Sequence, residues 1–286
     1  MAIVIKSASW AVVAVLVGIG LRRYWLSPES RVPVLAVVLA AAAVPLAGAA
    51  DLWHTVGQVR SPVSFDLWWR YASTTVHGHA VLWRSVAAIA LGLCVAVAPR
   101  SWWPVAAATG AWLCYGFSRL SHAAAMGGAV PLGYDLVHLM GAAAWAGGVW
   151  VVTFARDDLR ATLRLSSLAL WCVVALGIAG VLSALVHTSD PARFFSSEYA
   201  LALGVKVLAV AAALAVAARN RFSLVPRALS TGDQRGLARS MYLESAVLLV
   251  VLLLTGWLST TAVPHGQEAS LDALENVRRV IDYLLP

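Results

Sequence analysis

Eight apolar stretches, each close to the length that crosses a membrane, dominate this chain of 286 residues. A transmembrane helix needs about 20 consecutive apolar residues, because the hydrocarbon core of a bilayer is about 30 Å thick. The stretches lie at 3–20, 33–50, 80–98, 102–119, 134–155, 165–186, 199–218 and 242–262. Only 12% of the residues are charged, against about a quarter in a soluble domain, which argues against a soluble enzyme. We therefore predict an all-α polytopic membrane protein, a single domain of about eight transmembrane helices over residues 1–262.

Two segments outside these spans carry a helical or apolar pattern of their own. In the tail 263–286, four apolar residues recur at helical spacing, namely Leu271, Leu274, Val277 and Ile281. This spacing predicts a short amphipathic helix at the extracytoplasmic membrane surface. Segment 61–79 holds Trp68 and Trp69, and we expect it to lie along the outer surface as a lid beside two histidines.

The distribution of Lys and Arg predicts the orientation of the chain. Of 21 such residues, twelve lie in the connections after spans 1, 3, 5 and 7, seven lie on the opposite side with both termini, and two lie within spans. Because cytoplasmic loops are enriched in Lys and Arg, we predict that both termini are extracytoplasmic. The same rule accounts for the net charge of +7, so we predict no nucleic-acid partner. We expect the helices to contact membrane lipid.

All seven histidines fall on the predicted outer side. They are His54, His77, His79, His122, His138, His187 and His265. Imidazole is the commonest metal ligand in proteins, so a shared metal-binding role is one interpretation. The alternative is that each histidine makes an ordinary hydrogen bond at the membrane interface.

Two methionines lie near these histidines and indicate which metal would be bound. Met126 follows His122 by four residues and Met140 follows His138 by two. Thioether ligands favour Cu(I), whereas carboxylates and water favour hard ions. The candidate metal ligands are His138, His122, His54, His77, His79, His187, Met126 and Met140.

Three ionisable residues within the spans stand out. His138 enters an otherwise apolar span, where an ionisable side chain is costly without a partner or a water-lined path. The small residues Gly141 and Gly148 follow it and let a neighbouring helix approach, so we expect His138 to face the bundle interior. We interpret Lys206 and Glu244 as structural charges. Their predicted partners are Glu198, Asp190 or Asp135 for Lys206, and Arg239 or Arg219 for Glu244.

No sequence motif indicates an enzyme. The chain has no nucleotide-binding Gly-rich loop and no HExxH zinc motif. We therefore predict neither a catalytic activity nor an ATP-driven pump on this chain alone.

From Leu120 to Pro264 the chain resembles the copper resistance D (CopD) family of bacterial inner-membrane proteins. The matching elements are Ser121-His122-Ala, Asp135-Leu-Val-His138 through Trp145-Ala-Gly-Gly148, Glu198-Tyr through Lys206, Ala218-Arg-Asn-Arg221, and Glu244 with the span that ends at Thr260-Thr-Ala-Val-Pro264-His265. Two positions depart from the family pattern, since Ala200 replaces a common glycine and Ala146 a common leucine.

The resemblance implies copper handling in a bacterial inner membrane, commonly described as movement of copper from the periplasm to the cytoplasm beside a periplasmic copper carrier. It implies that His122 and His138 correspond to histidines of that family. Two alternatives stay open. One is an electron-transfer protein that holds haem b between two axial histidines, and the other is an assembly factor that delivers copper without transporting it.

Overall fold

The computed structural model describes residues 1–121, 129–187 and 197–261, and these residues form helices joined by short turns. The helices are α1 (Ala2–Leu21), α2 (Val34–Val59), α3 (Phe65–Thr74), α4 (Val76–Val97), α5 (Trp103–Ser118), α6 (Ala129–Ala155), α7 (Leu159–His187), α8 (Glu198–Arg219), α9 (Val225–Thr231) and α10 (Arg235–Leu258). Turns of π-helix follow α1 at Arg22–Leu26 and α8 at Asn220–Leu224.

Several sequence predictions lie outside the described residues. They concern His122, Met126, His265, the side chain of His187 and the amphipathic tail 263–286.

The described part has seven helices long and apolar enough to cross a membrane, which confirms an all-α polytopic membrane fold. The stretch predicted at 102–119 is also helical, but α5 has only 16 residues. At 1.5 Å per residue it is about 24 Å long, shorter than the hydrocarbon core of about 30 Å. The eighth predicted crossing is therefore a helix of less than full spanning length.

The first helix joins two hydrophobic cores. In one core, Val13 and Leu16 of α1 pack with residues of α2, α4 and α5, such as Leu91. In the other, Ala14 of α1 packs with residues of α6, α7, α8, α9 and α10, such as Trp145. Since the two cores meet at α1, this helix holds the N-terminal and C-terminal halves together.

Small residues set the closest helix crossings. A Cβ atom added to Gly147 in α6 would overlap the backbone of Ala14 in α1, and one added to Gly18 would overlap Gly147. Gly141 lies against Leu176 of α7, whose Cγ would be 3.3 Å from an added Cβ. Such close approach is how transmembrane helices gain packing energy.

The segment between α2 and α4 folds into the short amphipathic helix α3. Ser64 caps its start by accepting a hydrogen bond from Leu67 N at 3.2 Å. Leu67 and Tyr71 are buried against Leu52 of α2 and Val81 of α4. Helix α3 therefore covers the C-terminal end of α2 and the N-terminal end of α4, where His77 lies.

Candidate functional site

The two ends of the bundle are identified by contacts between helices that are distant in sequence. At one end, Lys6 Nζ in α1 donates to Ser259 O, just after α10, at 3.1 Å. At the other, Arg164 Nη1 in α7 donates to Trp25 O, in the π-helical turn after α1, at 3.0 Å. We call the first the His end and the second the Arg end.

Every described histidine lies toward the His end. His54 is near the end of α2, His77 and His79 are in the first turn of α4, His138 is in the first half of α6, and His187 is the last residue of α7. Because consecutive spanning helices run in opposite directions, these positions fall at the same end of the bundle.

His77 is held by two neighbours. Its Nε2 is 3.0 Å from Asp51 Oδ2, and its Nδ1 is 3.5 Å from Tyr71 Oη. Burial raises the pKa of Tyr71 to about 12, so the hydroxyl keeps its proton at neutral pH and can donate to Nδ1. A neutral imidazole then carries its proton on Nε2 and donates it to Asp51. In this arrangement Nδ1 accepts a long hydrogen bond from Tyr71.

The other histidines near α3 do not join His77 in one group. His79 is exposed and its Nε2 is 2.6 Å from Ser73 O at the end of α3. His54 is half-buried, one turn of α2 beyond Asp51. Within residues 1–121, 129–187 and 197–261, no three His, Cys, Asp or Glu side chains come together as a metal site.

His138 lies further along its helix than the apolar pattern indicates. The apolar stretch starts at 134, but the described helix α6 already runs from Ala129. His138 is therefore about 13 Å along the helix axis at 1.5 Å per residue. Its ring lies near the backbone of Leu176 in α7, so it faces the seam between α6 and α7.

Met140 does not share the face of His138. Two residues along an α-helix turn the side chain by roughly 200°, and Met140 is 39% exposed while His138 is half-buried. The described structure therefore does not bring this thioether and this imidazole together.

Lys206 lies in the same electrostatic neighbourhood as His138. Its charge acts on Asp135 of α6, one of the partners predicted for it, and on His138, but no ion pair joins Lys206 to Asp135 among the described residues. One oxygen of Asp135, Oδ2, is buried without a hydrogen-bond partner among the described residues. Charge interactions thus link Asp135 and His138 of α6 with Lys206 of α8.

Glu244 binds neutral donors instead of the predicted arginine. Its Oε1 accepts from Trp145 Nε1 at 3.2 Å and its Oε2 accepts from Asn220 Nδ2 at 2.7 Å. The residue is 5% exposed. Sequence reasoning did not single out Trp145 or Asn220 as functional, although both lie within the elements quoted for the family resemblance.

Two family models match the chain. Residues 1–134 match the model described as "Copper resistance protein D-like, N-terminal domain", and residues 159–258 match "Copper resistance protein D". The second match falls within the region of the sequence resemblance and confirms it, while the first extends it over the first four spans. A search of curated proteins and a search of solved structures find no match.

Proposed function

The chain belongs to the copper resistance protein D family and is a copper resistance membrane protein. On this basis we propose that it transports copper. Copper would bind at the His end and move through the bundle to the Arg end. The distribution of Lys and Arg assigns the Arg end to the cytoplasm. We take the membrane to be the bacterial inner membrane. A periplasmic copper carrier would supply the ion.

The observation that carries this proposal is the one-sided placement of the described histidines. Four described imidazoles, those of His54, His77, His79 and His138, offer nitrogen donors toward one end of the bundle, and imidazole nitrogen suits copper. His54, His77 and His79 lie nearest the surface and would receive the ion. Because no three of the described candidate ligands form a preassembled site, the ion would be held by two ligands at a time and passed on by ligand exchange.

His138 is the next station in this proposal. It lies about 13 Å along α6 from its first described residue, on the seam with α7, and Lys206 and Asp135 are close enough for their charges to interact with the seam. An ionisable side chain at this depth is costly without such a role.

Replacement of His138 tests the proposal. We expect His138→Ala to lower copper uptake by cells at least tenfold and to remove high-affinity copper from the purified protein, since the transfer step loses its nitrogen donor. The matched control is Val137→Ala, the exposed neighbour on the same helix, which should leave both quantities unchanged. Unchanged uptake and copper content in His138→Ala would contradict the proposal.

Two further measurements on the same material separate the alternatives. An assembly factor without transport activity predicts that deletion of the protein leaves cellular copper unchanged, whereas an importer predicts a fall. A haem protein predicts a Soret band in the absorption spectrum of the purified protein, and we expect none.

A further inference from the structure

A cavity of about 250 Å³ lies beside Glu244 in the half of the bundle toward the Arg end. Its walls come from α7, α8, the π-helical turn Asn220–Leu224 and α10, with one residue each from α6 and α9. Most of the wall is apolar, with residues such as Leu165, Val173 and Leu214. A charge in this space is therefore poorly solvated and interacts strongly with groups on the wall.

Three donor groups of a metal ligand set line this cavity. Met241 and Glu244 are three residues apart on α10 and so share one helix face. Asn220 lies opposite them in the π-helical turn, where its Oδ1 is buried without a hydrogen-bond partner among the described residues. All three residues are nine-tenths or more buried, with exposures of 7%, 5% and 7%. A buried amide oxygen normally has a hydrogen-bond or metal partner, so an unpartnered one at a cavity wall indicates that a ligand can bind there.

The Glu244 side chain on the cavity wall has no ion-pair partner among the described residues. Both partners of the Glu244 carboxylate, Trp145 and Asn220, are neutral donors. The other charged residue among the described lining residues is Arg221, whose Nη1 donates to both the backbone and the hydroxyl oxygen of Ser166 at 2.9 Å. The ion pairs of the described residues are Arg22–Asp157, Arg70–Asp66 and His77–Asp51, and Glu244 is in none of them. A buried carboxylate without a counter-ion is unfavourable and takes up a proton instead, so the pocket favours a cation that replaces this proton.

We propose that this cavity binds a monovalent copper ion through the thioether of Met241, the carboxylate of Glu244 and the amide oxygen of Asn220. This inference rests on the proposed transport function and adds a second intramembrane station beyond His138. The thioether selects a soft ion, and the single carboxylate balances the single charge of Cu(I). Hard cations such as Mg²⁺ and Ca²⁺ prefer six or more oxygen ligands, which this apolar wall does not offer.

Cu(I) titration of the purified full-length protein against a colorimetric Cu(I) chelator tests the inference. Met241→Leu removes the sulfur with little change of volume, and Glu244→Gln removes the charge while retaining shape. We expect each variant to lose one equivalent of Cu(I), or to bind it at least tenfold more weakly. The matched control is Val173→Ala, which alters the same wall without removing a donor and should keep the full stoichiometry. X-ray absorption of the Cu(I)-loaded His138→Ala protein should show one sulfur neighbour that Met241→Leu abolishes.

The outcomes distinguish this inference from the proposed function. Full Cu(I) stoichiometry and affinity in both Met241→Leu and Glu244→Gln would overturn the pocket as a copper site and leave transport from His138 intact. Unchanged uptake in His138→Ala would instead overturn the proposed function. If Glu244→Gln does not fold, Met241→Leu decides the result, because Leu fits the volume of Met.

Discussion

At the scale of single residues, the buried ion pair at the Arg end is the contact most open to measurement. Arg22 donates from Nε and Nη2 to the two oxygens of Asp157, both at 2.8 Å. We expect Asp157→Ala to lower the free energy of unfolding by about 3–5 kcal/mol, because it leaves a buried guanidinium without its counter-charge. Denaturant or thermal unfolding of the purified protein in detergent measures the change.

An exposed ion pair in the same protein supplies the control. Asp66 pairs with Arg70 at 3.0 Å, and their side chains are 66% and 47% exposed. Asp66→Ala should cost less than about 1 kcal/mol, as exposed pairs do. Equal losses from Asp66→Ala and Asp157→Ala would contradict the assignment of Arg22–Asp157 as the stabilising pair.

The residue types of the candidate site could be predicted from the sequence, but their partners could not. Apolar periodicity indicated that His138 and Glu244 lie within spans, since an ionisable residue in an apolar run is visible without a structure. The partners of Glu244 depend on how α6, the π-helical turn and α10 meet, because Trp145 and Asn220 are 99 and 24 residues away. For His77 the sequence indicated only that it lies on the same side as the other histidines, and its neighbours Asp51 and Tyr71 follow from how α2 and α3 pack against α4.

At the scale of helices, the crossing of α1 and α6 depends on the absence of side chains. Gly147→Ala would place a methyl group in the backbone of Ala14. Overpacking typically costs about 1–3 kcal/mol, and rigid backbone on the opposing side puts this case at the upper end or beyond. We expect a lower melting temperature and less monodisperse protein after detergent extraction.

The matched control for this crossing is Gly177→Ala in α7. An added Cβ at Gly177 meets nothing within 4 Å, and Ala is the better helix former. Stability should therefore stay the same or rise slightly. If Gly147→Ala is as stable as Gly177→Ala, α1 and α6 do not cross as closely as described.

Helix boundaries show where the hydrophobic pattern stops being informative. Apolar runs marked the seven spanning helices of the described residues, because lipid demands about 20 apolar residues. They did not reveal that α6 begins at Ala129, five residues before the predicted stretch, or that α10 begins at Arg235 rather than at 242. Polar residues can extend a helix beyond the hydrocarbon core, and the apolar pattern does not register that extension.

At the scale of the whole molecule, the orientation of the bundle decides whether the His end faces the periplasm. The three cysteines of the chain, Cys94, Cys114 and Cys172, are all buried, so a cysteine placed on the surface can be labelled with little background. Ser61 at the His end and Ser230 at the Arg end are both exposed. Because the positive-inside rule assigns the Arg end to the cytoplasm, we expect a membrane-impermeant maleimide to label Ser61→Cys in intact cells and Ser230→Cys only after lysis. The reverse pattern would place the histidines in the cytoplasm, and inward transport beginning at the imidazoles would then be ruled out.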